Sequence, residues 1–129
     1  MEQTKNVVGW FEIPVTNMER AIKFYQTVFN FELSRQQLGP LDMAWFPWVE
    51  TGVGSAGSLV KYEDSYQPST KGVLIYFTSF GGDLNQELSR VEQAGGKIEQ
   101  AKTLIADDIG YMAVFIDTEG NRVALHSRG

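Results

Sequence analysis

The stretch GWFEIPVTNMERAIKFYQTVF, residues 9–29, decides the fold because it holds a strand and a helix in immediate succession. Residues 7–15 are rich in β-branched and aromatic side chains, which favour a strand. Asn17 then predicts a helix N-cap, since its side chain can accept a hydrogen bond from a free amide of the first turn. The apolar residues that follow recur at helical spacing and predict one buried helix face: Met18, Ala21, Ile22, Tyr25, Val28 and Phe29.

The sequence leaves the purpose of Glu12 open. Its neighbours in the strand favour burial, whereas a carboxylate favours exposure to water. Burying the carboxylate ionised and without a partner would cost several kcal/mol, or the group would take up a proton instead. Glu12 therefore belongs either on a solvated sheet face or in a cleft where the carboxylate has a function.

The rest of the chain continues this pattern and then repeats it. Three short β-type runs separated by Gly and Pro complete the first half: FELSRQQL, MAWFPWVE and GSLVKY. In the second half, residues 72–80 predict a strand, and Asp83 predicts a helix cap with Gln86 at the far end of a capping box. Gly95 and Gly96 end that helix, and three strands follow again in KIEQAKTLI, YMAVFID and NRVALHS.

The repeated order predicts an α+β fold of two βαβββ modules, residues 7–62 and residues 71–128, in a single domain that spans residues 1–129. Residues 42–46 and 111–115 occupy corresponding places and share a central Met-Ala pair, which supports an internal duplication. Neither half could bury a sheet face alone, so we expect the modules to pack against each other or against a second chain.

The composition limits the partners that the protein can have. A net charge of −5 is unfavourable for a nucleic-acid partner, because phosphate binding needs a basic patch. No apolar run approaches the roughly 20 residues that cross a bilayer, so we expect no membrane partner. The first residues lack the regions of a signal peptide and the chain has no cysteine, so we expect a cytoplasmic protein without disulfides.

Three motifs resemble those of the glyoxalase/bleomycin-resistance/dioxygenase group, also called the vicinal oxygen chelate superfamily. They are V-x-N-M-E-R-A-I-x-F-Y-x-x-V-F at residues 15–29, V-E-x-A-G-G at residues 91–96, and D-x-E-G-N-x4-H at residues 117–126. The resemblance covers nearly the whole chain. It implies that the sheets of the two modules curl into a half-open cleft, and that the protein is a homodimer, because members are often dimers and some build the cleft from two chains.

The resemblance also implies where a metal would lie. Metal-dependent members hold a divalent ion with four His, Glu or Gln ligands from the first and last strand of each module, and the ion polarises a substrate with two adjacent oxygens. Carried over to this sequence, those positions are Trp10, about Ser58, Val73 and Ala124. None of these holds an ion in the usual way, so we expect no cofactor. A relocated divalent-metal site that uses Glu12 and His126 remains the alternative.

Two polar residues share a sheet face with the inherited metal positions, because side chains two apart on a strand point the same way. Glu12 accompanies Trp10, and His126 accompanies Ala124. The hypothesis is that Glu12 and His126 form an acid/base pair or orient a polar ligand. The alternative is a hydrogen-bonded structural carboxylate and a histidine near the end of the chain.

Aromatic side chains predict an apolar ligand site, since such sites have mostly aromatic and aliphatic walls with few polar groups. For each aromatic residue, ordinary core packing is the alternative. The predicted ligand-binding set is Trp10, Glu12, Trp45, Trp48, Ser58, Phe77, Tyr111, Ala124 and His126.

The sequence thus predicts a protein that binds a small apolar or aromatic molecule in its cleft and lacks the metal quartet. One alternative is a lactoylglutathione lyase-like or dioxygenase-like enzyme with relocated ligands, or a metal-free lyase or isomerase with Glu12 as its base. Another alternative is a dimerisation module without catalytic activity.

Overall fold

Two four-stranded sheets and two helices form the fold in the computed structural model, which describes residues 2–129. Sheet A has the strand order β1-β4-β3-β2, and sheet B has the order β5-β8-β7-β6. The elements are β1 (Trp10–Pro14), α1 (Met18–Phe29), β2 (Ser34–Leu38), β3 (Leu41–Trp45), β4 (Ala56–Lys61), β5 (Tyr76–Thr78), α2 (Asn85–Val91), β6 (Lys97–Ala106), β7 (Gly110–Ile116) and β8 (Arg122–Ser127).

Each sheet pairs its first and last strands in parallel, β1 with β4 and β5 with β8, and its remaining strands antiparallel. Both sheets are therefore mixed, and neither closes on itself. The predicted α+β class and the repeated βαβββ order are confirmed.

The start of α1 follows the predicted chemistry. Asn17 has an extended backbone, and its Oδ1 accepts the amide of Arg20 at 3.0 Å. The helix ends at Asn30, which adopts the left-handed conformation at φ 59° and donates its amide to the carbonyl of Gln26.

Both first strands are shorter than predicted. Strand β1 covers Trp10–Pro14 rather than residues 7–15, because its pairing with β4 begins only at Ala56. Strand β5 covers Tyr76–Thr78 rather than residues 72–80, because only three of its residues have partners in β8. Helix α2 begins at Asn85, one residue later than an Asp83 cap predicts, although Asp83 Oδ1 does accept the Asn85 amide at 3.0 Å.

One hydrophobic core joins the two halves. Helices α1 and α2 pack against each other, α1 also packs against β3 and β4 of sheet A, and α2 packs against β6 and β7 of sheet B. Residues from both helices and from strands of both sheets fill this core: Ile13, Val15, Met18, Ala21, Phe24, Tyr25, Val28, Phe29, Ala44, Phe46, Leu59, Leu84, Leu88, Val91, Ala113, Phe115, Val123 and Leu125. The side of each sheet that faces away from the helices is called its open face below.

The turn between β7 and β8 is tied to the start of α1 by Glu119. Its Oε1 accepts the amides of Thr16 and Asn17 at 2.9 and 2.8 Å, and its Oε2 accepts Nε of Arg20 at 2.6 Å. Burial alone would raise the pKa of Glu119, but these hydrogen bonds outweigh it and lower the pKa from 4.5 to about 2. Glu119 is therefore a structural carboxylate that joins the second half of the chain to the first.

A second set of polar contacts reinforces this joint from inside the core. The Tyr25 hydroxyl donates to Oδ2 of Asp117 at 2.7 Å, and Asn121 Nδ2 donates to the carbonyl of Pro14 at 2.7 Å. Burial raises the pKa of Asp117, partly offset by hydrogen bonds from Asn121 and Tyr25. The D-x-E-G-N motif thus has a structural role in joining the halves.

Candidate functional site

Glu12 lies on the open face of sheet A, where it is half-buried and hydrogen-bonded. Its strand neighbours Phe11 and Ile13 pack on the helix side, so alternation directs Glu12 the other way. Its Oε1 accepts the hydroxyl of Tyr66 at 2.6 Å, and its Oε2 accepts the indole N–H of Trp10 at 3.3 Å. The hydrogen bond to Glu12, and secondarily burial, raise the pKa of Tyr66. The carboxylate is thus held in place by two uncharged donors.

Two indole rings lie on this face, Trp10 in contact with the carboxylate and Trp45 in contact with Trp10. The ring centroids of Trp10 and Trp45 are 5.7 Å apart, and the rings meet edge to face at 78°. Strand pairing sets Glu12 opposite Ser58, and Ser58 opposite Trp45. Trp10 remains 41% exposed, so part of its ring is available to a ligand. We call these five residues the carboxylate site: Trp10, Glu12, Trp45, Ser58 and Tyr66.

Two buried polar atoms of the carboxylate site have no partner among the described residues. They are the indole Nε1 of Trp45 and the Oγ of Ser58. Leaving a buried donor or acceptor unsatisfied costs about 1–3 kcal/mol, so native structures rarely do so without a reason. Both atoms are closed to solvent, so a bound molecule would satisfy them only if its entry moved the side chains that cover them.

Ala124 and His126 lie on the open face of the other sheet. Strand pairing sets Tyr76 opposite Ala124 and Thr78 opposite His126. The Nε2 of His126 lies 2.8 Å from the carbonyl of Ile109. Because a carbonyl oxygen only accepts, Nε2 carries the hydrogen and Nδ1 remains the other polar atom of the ring. The structure gives Glu12 and His126 different sheets and different partners, and it does not bring them together as a pair.

The other predicted ligand residues lie outside the carboxylate site. Phe77 packs on the helix side, with its ring 4.8 Å from that of Phe29. Tyr111 also packs against the core, and Lys102 Nζ lies 4.5 Å from its ring centroid. Trp48 follows β3 and is exposed. The predicted set of nine residues is therefore distributed over both open faces, the core and a loop.

Tyr66 is the contact that the sequence did not indicate. It lies in the irregular segment between β4 and β5, about fifty positions from Glu12, and no spacing rule connects the two residues. The hydroxyl-to-carboxylate contact becomes visible only in three dimensions.

A comparison with known protein families identifies the chain. The model of the Glyoxalase/Bleomycin resistance protein/Dioxygenase superfamily matches residues 7–125. The chain belongs to this superfamily. No curated protein sequence matches it.

Solved structures share the superfamily fold with this chain. A glyoxalase/bleomycin resistance protein from Albidiferax ferrireducens has a TM-score of 0.70 at 13% identity, covering 96% of this chain and 100% of its own. TnmS3, an antibiotic binding protein from Streptomyces sp. CB03234, has a TM-score of 0.67 at 20% identity, covering 99% and 100%. A V278E mutant of maize glyoxalase I has a TM-score of 0.66 at 18% identity, covering 93% of this chain. This chain spans 45% of the maize chain. At such low sequence identities, the structural similarity establishes that these proteins share a fold.

One of the four positions that the resemblance implied for metal ligands is wrong. Val73 lies outside β5 and is 86% exposed, so it cannot occupy the position on the first strand of the second half. The β5 residue that lies opposite Ala124 is Tyr76, which therefore replaces Val73 as the candidate position.

The side chains at these positions do not fit a metal ion. They are an indole, a hydroxyl, a phenol and a methyl group, on Trp10, Ser58, Tyr76 and Ala124. Among residues 2–129, no three His, Cys, Asp or Glu side chains are close enough to hold an ion together. Within the same residues, no helix has the length and apolar character that a membrane crossing requires.

Proposed function

We propose that this superfamily member binds a small aromatic molecule with a positive charge, and that it does so at the carboxylate site. The observation that carries the proposal is the pairing of Glu12 with two indole rings beside two unpartnered buried polar atoms. Within the described chain, Glu12 has no cationic partner, since both of its donors are neutral side chains. Its negative charge is therefore available to a ligand.

Each residue of the site has a distinct role in this proposal. Glu12 provides the negative charge, and the exposed part of Trp10 provides a π-face for a cationic ring, a contact of about 0.5–2 kcal/mol. Trp45 Nε1 donates to an acceptor on the ligand, and Ser58 Oγ donates or accepts. Tyr66 holds the carboxylate in place through its 2.6 Å hydrogen bond and acts as a positioning residue.

We further propose that a homodimer completes the site. The Cα atoms of strands in sheet A stay more than 8 Å from those of strands in sheet B, and the halves meet through α1, α2 and the rings of Phe11, Phe46 and Phe77. Among the described residues, no hydrogen bond joins the carboxylate site to the open face of sheet B of the same chain. The open face of sheet B from a second copy, which presents Tyr76, is the complementary half of a cleft.

The test is a fluorescence titration with proflavine, a planar aromatic cation. We expect saturable binding, weakened about tenfold to a hundredfold by Glu12→Gln, because a charge-assisted contact contributes about 1.5–3 kcal/mol. Glu92→Gln is the matched control, since it removes the same charge from an exposed position at the end of α2. Equal losses in both variants would mean that proflavine responds to net charge alone, and the proposal would be wrong.

A further inference from the structure

A concavity of about 450 Å³ lies beside the edge strands β1 and β5, with lining residues from both. Small-molecule sites commonly measure about 300–1,000 Å³, so this volume suffices for a ligand of modest size. Its walls include six phenylalanine rings, and we call it the phenylalanine pocket: Phe11, Phe29, Phe31, Phe46, Phe77 and Phe80. None of the five residues of the carboxylate site lines it.

The walls of the phenylalanine pocket are preformed because its rings brace one another. The Phe29 ring lies 4.8 Å from that of Phe77 and is stacked on that of Phe31 at 5.4 Å. Phe46 contacts both Phe77, at 5.3 Å, and Phe31, at 5.8 Å. Such ring pairs stabilise their arrangement by about 0.5–1.5 kcal/mol each beyond simple burial. A ligand would enter without first having to order the wall.

Gly57 makes room for one of these rings. It lies opposite Phe11 in the β1–β4 pairing, and a Cβ at Gly57 would come within 2.3 Å of the Phe11 ring. The absence of a side chain at Gly57 therefore allows Phe11 to lie flat against the sheet and form part of the pocket.

The lining of the phenylalanine pocket carries no charge. None of the residues around it is Asp, Glu, Lys, Arg or His, and the polar groups on its lining side chains are the hydroxyls of Ser55, Tyr76 and Thr78 and the indole N–H of Trp48. A charged molecule would lose its hydration there without an ionic partner, at a large cost in free energy. The chemistry is thus the opposite of that at the carboxylate site.

We propose that the phenylalanine pocket is a second binding site, which takes a neutral aromatic molecule. The rim supports entry of such a molecule from solvent, because Phe80 is 76% exposed and the side chains of Trp48 and Val53 are exposed beside it. The pocket shares none of the five residues of the carboxylate site and takes a different class of ligand, although Tyr76, which lines it, also belongs to the proposed second wall of the dimeric cleft.

The test uses N-phenyl-1-naphthylamine, a neutral probe whose fluorescence rises in apolar surroundings. We expect saturable binding of about one probe per chain. Ser55→Trp places an indole in the pocket and should weaken binding at least tenfold. Ser89→Trp is the matched control, since both serines are exposed and each hydroxyl only bonds a nearby carbonyl, of Ala56 and Gln86 respectively.

A second variant covers the case in which Ser55→Trp disturbs the fold. Phe80→Ser removes one exposed ring from the rim and should weaken probe binding about threefold to tenfold. Leu38→Ser, which replaces an exposed apolar residue on β2, should leave probe binding unchanged.

Three results would overturn the proposal: probe binding unchanged in both Ser55→Trp and Phe80→Ser, displacement of the probe by proflavine, or loss of probe sites as rising chain concentration drives self-association. The last result would show that a second copy covers the pocket.

Discussion

At the scale of single residues, Glu12 shows how a carboxylate is tolerated in an apolar strand. It lies on the open face, and its two carboxylate oxygens accept hydrogen bonds from the Tyr66 hydroxyl and the Trp10 indole N–H. The sequence indicated the face correctly through alternation, because that rule is local. It could not indicate Tyr66, because the chain between β4 and β5 has no regular spacing from which to place a side chain.

Replacing Glu12 by glutamine should change the free energy of unfolding by less than about 1 kcal/mol, because glutamine keeps an acceptor oxygen for Tyr66. Urea unfolding at pH 7, with Glu92→Gln as control, measures the difference. A loss of about 3 kcal/mol or more would show that Glu12 serves the fold, and its binding role would lose its support.

At the scale of elements, the joint between the β7–β8 turn and the start of α1 makes the free energy of unfolding depend on pH. The pKa of Glu119 is about 2 in the folded protein and 4.5 as a free group. Because its pKa is lowered, ionised Glu119 contributes its full stabilisation to the fold above pH 4.5. That contribution is lost as the pH falls towards 2 and the carboxylate is protonated. Asp117, whose pKa is raised, acts in the opposite sense.

Glu119→Gln should therefore lower the free energy of unfolding at pH 7 by about 2 kcal/mol, because hydrogen bonds to a charged group contribute about 1.5–3 kcal/mol, Arg20 is half exposed and an acceptor oxygen remains. The gap to the unmodified protein should narrow between pH 4.5 and 2. Urea unfolding across this range tests it, with Glu99→Gln, an exposed partner of Arg122, as control. A gap that stays constant down to pH 2 would contradict the assigned role.

The elements also show where sequence reasoning reaches its limit. Helix α1 and its Asn17 cap were predictable because capping and 3.6-residue spacing are encoded within a few neighbouring residues. Strand ends were not, because a strand ends where its partner does, and the partner is distant in sequence. The placement of Val73 at a metal position failed for this reason, since β5 begins three residues later than that position requires.

At the scale of the whole molecule, the relation between the two sheets is what the sequence could not predict. Internal duplication indicates two similar modules, but not whether their open faces meet within one chain. The structure joins the halves through α1, α2, the Glu119 contacts and the ring of Phe77, and no hydrogen bond between described residues joins the two open faces. This arrangement supports the proposed homodimer.

Sedimentation velocity should therefore give twice the mass of the chain at micromolar concentration. Tyr76→Lys, on the exposed edge of sheet B, should weaken both the dimer and proflavine binding, because it brings a positive charge to the proposed second wall. Leu38→Lys, on the exposed strand β2, should affect neither. A monomer that binds proflavine normally would contradict the dimeric site.

The most direct test of the carboxylate site uses the three indole N–H resonances of the protein in a ¹H–¹⁵N spectrum, assigned with single Trp→Phe variants. Trp10 and Trp45 belong to the carboxylate site, whereas Trp48 lines the phenylalanine pocket. Adding proflavine should shift the Trp10 and Trp45 resonances, with Trp45 moving furthest as its unpartnered Nε1–H gains an acceptor. The Trp48 resonance should stay in place. A shift confined to Trp48, or no shift at saturating probe, would contradict a ligand site on the open face of sheet A.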